Sequence, residues 1–119
     1  MSYDTNNVFA KILRNEIPCN KITEDKYSLA FHDAFPKSKI HALVIPKGHY
    51  ISAQDFSENA SEEEIVSLVQ MIGKVAKELG VDTSGYRILT NHGKDSNQEV
   101  PHFHVHICGG ENLGPLLAK

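Results

Sequence analysis

Between Ser61 and Gly80 the residues Ile65, Leu68, Val69, Ile72, Val75, Ala76 and Leu79 recur at three- and four-residue intervals. That spacing lines apolar side chains along one stripe of an α-helix, which needs such a face to bury. Ser61-Glu62-Glu63-Glu64 supplies the start, with Ser61 as N-cap and Glu64 closing a capping box. Gly80 stands where a left-handed residue stops a helix. A shorter helix is predicted over Val8–Asn15, capped by Asn7 and ended before Pro18. Elsewhere the pattern shortens. Lys21–Glu24, Ser28–Asp33, Ile40–Pro46, Tyr86–Thr90 and His102–Cys108 read as strands. One long helix against several strands with short links predicts an α+β fold, an antiparallel sheet with a helix on one face.

At 119 residues the chain is long enough for one domain, 1–119, around a single core. Its 40% hydrophobic and 23% charged content is that of a globular protein. A net charge of −3 and a pI near 6.1 argue against a general nucleic-acid binder, which is usually basic. No apolar run approaches the roughly 20 residues that span a bilayer. The start, Met1-Ser2-Tyr3-Asp4-Thr5-Asn6-Asn7, has neither the basic nor the apolar region of a secretory signal. Cys19 and Cys108 form no Cys-x-x-Cys pair, which fits a reducing cytoplasm and argues against a cysteine-based zinc site.

The informative segment is Pro101-His102-Phe103-His104-Val105-His106-Ile107-Cys108-Gly109-Gly110. On a strand, alternate side chains share a face roughly 6.5–7 Å apart, so His102, His104 and His106 face one way and Phe103, Val105 and Ile107 the other. On a helix the three would fan out, about 200° apart in succession. A row of imidazoles costs burial energy that apolar residues would not, so it calls for a chemical reason. Spacing alone leaves three open: a hydrogen-bonded structural cluster, a metal site of the His-x-His kind, and nucleophilic catalysis at phosphorus with one imidazole attacking and its neighbours assisting.

His102–Cys108 resembles the His-φ-His-φ-His-φ-φ signature of the histidine-triad (HIT) nucleotide-binding family, and the likeness extends through most of the chain. The run from Phe9 to Pro18 looks like the opening helix of the Hint branch. Ala30-Phe31-His32-Asp33, followed by Pro36, looks like its ribose-contacting strand end. His41-Ala42-Leu43-Val44-Ile45-Pro46-Lys47-Gly48-His49 is similar to its central strand. Asn91, Gly93, Gln98 and Val100 fall at the family's distances before the triad. The resemblance implies a HIT-like fold, a five-stranded antiparallel sheet with one long helix and a short N-terminal helix. It also implies a homodimer, a purine nucleotide ligand, and a reaction needing neither metal nor other cofactor.

The roles follow by the same resemblance. His104, the middle histidine, would attack the α-phosphorus of a purine nucleoside 5′-phosphoramidate and form a nucleotidyl-histidine, which water hydrolyses to the monophosphate. For this its other ring nitrogen must keep the proton, with the His102 carbonyl as the expected acceptor. His106 would contact the phosphate and help the leaving group depart, and His41 would complete the cluster. Asn91, Gly93, Gln98 and Glu99 would wrap the phosphate. Asp33 would accept from the ribose hydroxyls. Phe9, Ile12, Ile17, Phe31 and Leu43, with Val8 and Ala34 at the edges, would hold the base. His32 and His49 read as structural or exposed, and His92 receives no role.

Three departures from the family pattern matter. Asn97 stands where many members have Gly, so its φ should be positive, the conformation Asn tolerates best after Gly. Glu99 replaces a Ser or Thr hydroxyl and, ionised, cannot donate. Glu111 replaces an Arg frequent in bacterial members. Gly109-Gly110 and the short tail favour the Hint branch over the neighbouring Fhit-like dinucleoside polyphosphate hydrolases. A nucleotide-binding or regulatory protein with incidental hydrolysis is the non-enzymatic alternative.

Overall fold

A computed structural model describes residues 2–117. The elements run α1 (Val8–Leu13), β1 (Asn20–Glu24), β2 (Ser28–His32), β3 (Ile40–Pro46), α2 (Ala53–Asn59), α3 (Glu62–Glu78), α4 (Val81–Ser84), β4 (Tyr86–Leu89) and β5 (Val105–Gly109). A 3-10 turn at Lys94–Ser96 lies in the loop before β5. The five strands form one sheet in the order β1-β2-β3-β5-β4, and every pairing is antiparallel.

The helix ends follow their local chemistry. Asn7 accepts from the Ala10 N–H at the start of α1, which stops before the left-handed Asn15 (φ 63°). Ser61 and Glu64 form both bonds of the capping box on α3, and left-handed Gly80 (φ 76°) follows its end. Two further helices went unpredicted. The seven-residue α2 is too short for a readable period, and its mark is local: Ser52 accepts from the Asp55 N–H. α4 is a single turn between Gly80 and Gly85.

The sheet is apolar on both faces. On one, α3 closes a core over Ala30, Ala42, Val44, Val105 and Ile107. On the other, α1 lays Phe9 and Ile12 over Leu29, Phe31, Leu43 and Ile45. This division is the two-residue alternation of β2, β3 and β5. It leaves the second face free for the site, because α1 covers only the β2–β3 side.

The predicted His102–Cys108 strand is corrected at both ends. Pairing begins at Val105 and runs to Gly109. Pro101 has no N–H to give, the His102 N–H turns back to the Val100 carbonyl (2.9 Å), and the Phe103 N–H reaches the Tyr50 carbonyl (2.7 Å). The histidines nevertheless share a face: Phe103, Val105 and Ile107 are in the α3-side core, while the His104 and His106 rings meet at 4.9 Å and Phe9 touches both His102 and His104. No helix among the described residues is long and apolar enough to cross a membrane.

Candidate active site

Against the α1 side of the sheet lies a cavity of ≈ 970 Å³. One wall is apolar: Val8, Phe9, Ile12, Phe31, Ala34 and Leu43 all line it. The Phe9 and Phe31 rings meet edge to face at 5.6 Å, and the Phe9 edge continues onto His104 at 4.9 Å. The opposite end is polar, with Asp33, His41, His104 and His106 beside Asn91 and Glu99. The register explains the meeting: Leu43 pairs with His106 and His41 with Cys108 across β3 and β5, so residues of two strands and two loops reach one place.

Hydrogen-bond partners fix the ring tautomers. The Pro46 carbonyl can only accept, so His102 Nε2 carries a proton and donates to it at 2.8 Å. His104 Nδ1 likewise donates to the His102 carbonyl at 2.6 Å, which leaves the lone pair on Nε2. That nitrogen has no partner among the described residues, where no buried side-chain nitrogen is left unpartnered, so it opens to the cavity. The Lys37 backbone N–H donates to His41 Nδ1 at 2.9 Å, which puts the His41 proton on Nε2. That N–H donates to His106 Nδ1, again at 2.9 Å, so the His106 proton sits on Nε2. The cluster thus offers one bare imidazole nitrogen, on His104, and one ring N–H, on His106.

Burial keeps these rings neutral, since a charged imidazole loses its solvation there. His102 and His106 are both pushed down to about 4, chiefly by burial, with neighbouring imidazoles adding to the effect. His104 is lowered by burial as well, opposed by the His102 carbonyl and the charges of Asp33 and Glu99. For His41 burial again outweighs the nearby Asp33 carboxylate. Asp33 Oδ2 stands 3.3 Å from His41 Nε2. With Lys37 occupying Nδ1, His41 stays singly protonated, so this is a contact to a neutral ring and not an ion pair. Asp33, His41 and His106 also bring three metal-ligating atoms within 4.8 Å of one another. Their nitrogens already satisfy each other by hydrogen bonds.

Four residues assigned to the site from sequence lie off the cavity wall. The His102 ring is fully buried behind it. Ile17 borders a separate groove beside Leu13 and Lys47. Gly93 and Gln98 brace their own turn: the Gly93 N–H donates to Gln98 Oε1 (2.9 Å), and Gln98 Nε2 donates to the carbonyls of Val100 (3.1 Å) and Ile51 (3.3 Å). The glutamine amide is spent inside the protein. Asn97 is left-handed as its place in the turn requires, φ 58°, and lines the cavity.

Sequence reasoning missed Lys37, which acts through a backbone N–H that no residue type announces. It also missed Phe35, Leu89 and Cys108 on the wall. Cys108 could have been found, since it follows His106 by two on the same strand face. Tyr3 escaped too, because its hydroxyl reaches His102 from an irregular segment.

The family model for the HIT domain matches residues 14–113. A 13.2 kDa HIT-like protein of Azospirillum brasilense is 53% identical over 118 residues, covering 99% of this chain and 97% of its own. The purine nucleoside phosphoramidase of Escherichia coli K12 is 35% identical over 111 residues, covering 93% and 92%. Among solved structures, a histidine triad protein from Clostridium difficile superposes with a TM-score of 0.83 at 42% identity, covering 96% of this chain and 98% of that one.

Proposed function

We propose, from the premise that this chain belongs to the HIT domain family, that it hydrolyses the P–N bond of purine nucleoside 5′-phosphoramidates. The observation that carries the reading is the 2.6 Å bond from His104 Nδ1 to the His102 carbonyl. It fixes the tautomer whose bare Nε2 faces the cavity, ready to attack phosphorus. The relative named as a purine nucleoside phosphoramidase supports the choice of substrate.

In this mechanism the base enters the slot of Phe9, Ile12, Phe31 and Leu43, and Asp33 takes the ribose hydroxyls. A slot with few polar groups discriminates poorly between purines. His104 Nε2 forms a bond to the α-phosphorus as the P–N bond breaks. The nitrogen takes up a proton from a water molecule and leaves as the amine, with the His106 Nε2–H hydrogen-bonded to it. The hydroxide so formed attacks the same phosphorus, the P–Nε2 bond breaks and returns its electron pair to His104, and the nucleoside monophosphate is released. Two easier displacements replace one hard one. No metal enters either step.

The same reading makes the protein a cytoplasmic homodimer of one HIT domain. β4 is an edge strand on which Tyr86, Ile88 and Leu89 are exposed, as are Val66 and Val69 of α3. An unpaired edge beside exposed apolar side chains is the kind of surface a second copy covers. The free Cys19 and Cys108 suit a reducing compartment.

The deciding experiment is turnover of adenosine 5′-phosphoramidate and of a diadenosine polyphosphate, each with and without chelator. Phosphoramidate cleavage that survives chelation supports the proposal. Preference for the polyphosphate would move the protein to the Fhit-like activity, and loss on chelation would restore a metal site.

A further inference from the structure

The nucleophile depends on a carbonyl that the sheet does not hold. His102 precedes β5, whose pairing begins at Val105, so no ladder bond fixes the His102 peptide. Its own N–H goes to Val100 (2.9 Å), two residues back. Yet its carbonyl must stay aimed at His104 Nδ1 for Nε2 to keep the lone pair. One loop bond holds the peptide that carries this carbonyl, from the Phe103 N–H to the Tyr50 carbonyl (2.7 Å), and the His102 side chain supplies the second anchor. The ring is fully buried and bound at both nitrogens, Nε2–H to the Pro46 carbonyl (2.8 Å) and Nδ1 to the Tyr3 hydroxyl.

Because His102 carries its proton on Nε2, Nδ1 accepts and the Tyr3 hydroxyl donates. Tyr3 is itself held in place. Its ring stacks on His49 at 4.3 Å with the planes 5° apart, and it meets the His102 ring edge-on at 5.5 Å. Tyr3 does not line the cavity, and it lies before the span that the family model matches. Nothing in the proposed chemistry uses it.

We propose that Tyr3 is a positioning residue for the nucleophile: its hydroxyl locks the His102 ring on the Pro46 carbonyl and so keeps the His102 carbonyl aimed at His104 Nδ1. The N-terminal segment thereby performs for His102 what strand pairing performs for the residues of β5. Without the hydroxyl, a buried ring nitrogen loses its partner, and the His102 ring gains by turning toward another. Turning breaks its bond to the Pro46 carbonyl and frees the His102 peptide to move, which releases His104 to its other tautomer.

The inference rests on the proposed phosphoramidase reading for its kinetic test and stands apart from it in the spectroscopic one. Y3F keeps the stack on His49 and removes only the donor. With adenosine 5′-phosphoramidate its kcat should fall on the order of tenfold, the cost of misorienting a reacting group, while KM stays within twofold because the cavity wall is intact. In the same variant the His104 Nδ1–H resonance, downfield and slowly exchanging in the wild type, should weaken or exchange faster. A kcat within twofold of wild type, a loss carried by KM, or an unchanged His104 resonance overturns the proposal. So does a wild-type His102 found by nitrogen-15 NMR with its proton on Nδ1, whatever the variant does. If the wild type fails to cleave the phosphoramidate, the activity falls and the resonances still decide the role of Tyr3.

Discussion

His41 Nε2 lies 2.9 Å from His106 Nδ1, 65 positions further along the chain. With Lys37 on the other nitrogen of His41, the pair forms a one-way relay ending in the His106 Nε2–H. Two residues that act as a unit lose their function together. His106→Ala should slow substrates with poor, basic leaving groups strongly and those with good ones slightly. His41→Ala should show the same leaving-group dependence, and the double variant should be little worse than either single one. Steady-state rates over a series of leaving groups give the answer; fully additive losses would separate the two residues.

His104→Ala removes the attacking nitrogen. The rate should drop by several orders of magnitude, since nucleophilic and acid–base contributions vanish together. The nucleotidyl adduct seen by mass spectrometry after acid quench of the wild type should disappear. AMP binding, followed by calorimetry, should persist because Asp33 and the apolar slot are untouched. Normal turnover by this variant would return the triad to a binding or metal role.

The pH profile tests the burial of the triad. An unshifted histidine would lose activity below about pH 6.5, but burial lowers the His104 pKa. The rate should therefore hold through 6.5 and fall only in more acidic buffer, as Nε2 takes up a proton. Stability follows the same sign. His102 titrates near 6.5 when unfolded and at about 4 when folded, so between those values protons bind preferentially to the unfolded chain. Stability is complete above pH 6.5 and declines toward pH 4, on the order of 3 kcal/mol for His102 alone. Urea midpoints measured across that range should fall steadily with acid; a flat line would mean that the ring is solvated.

The turn before the triad is tested at Asn97. At φ 58° a side chain with Cβ costs roughly 1–2 kcal/mol, less for Asn and nothing for Gly. Asn97→Gly should leave the melting temperature and nucleotide KM close to wild type, whereas Asn97→Val should lower the one and raise the other. Equal behaviour of the two variants would show that the turn tolerates a right-handed residue there.

Much of the fold was written locally. The Ser61–Glu64 capping box and the apolar stripe behind it set α3, and alternation along the triad segment put His102, His104 and His106 on one face and Phe103, Val105 and Ile107 on the other. The local patterns marked five strands, and family likeness placed all five in one sheet. Local signals failed where structure is short, as at α2, and where backbone hydrogen bonds leave the strand ladder although the side chains keep their alternation, as at His102 and Phe103. They also failed where a residue acts through its backbone, as Lys37 does.

By itself the sequence determined that three imidazoles alternate with apolar residues and share a face, because side-chain direction in extended chain depends only on parity. The one tautomer within its reach was that of His104, set by the His102 carbonyl two residues away. Which nitrogens of His102 and His106 bear hydrogen, and how far burial lowers each pKa, depend on the Pro46 carbonyl, the Lys37 N–H and the Tyr3 hydroxyl. Those partners come from remote segments. Only the packed tertiary structure brings them within hydrogen-bond distance and excludes the water that would otherwise make the tautomers equivalent.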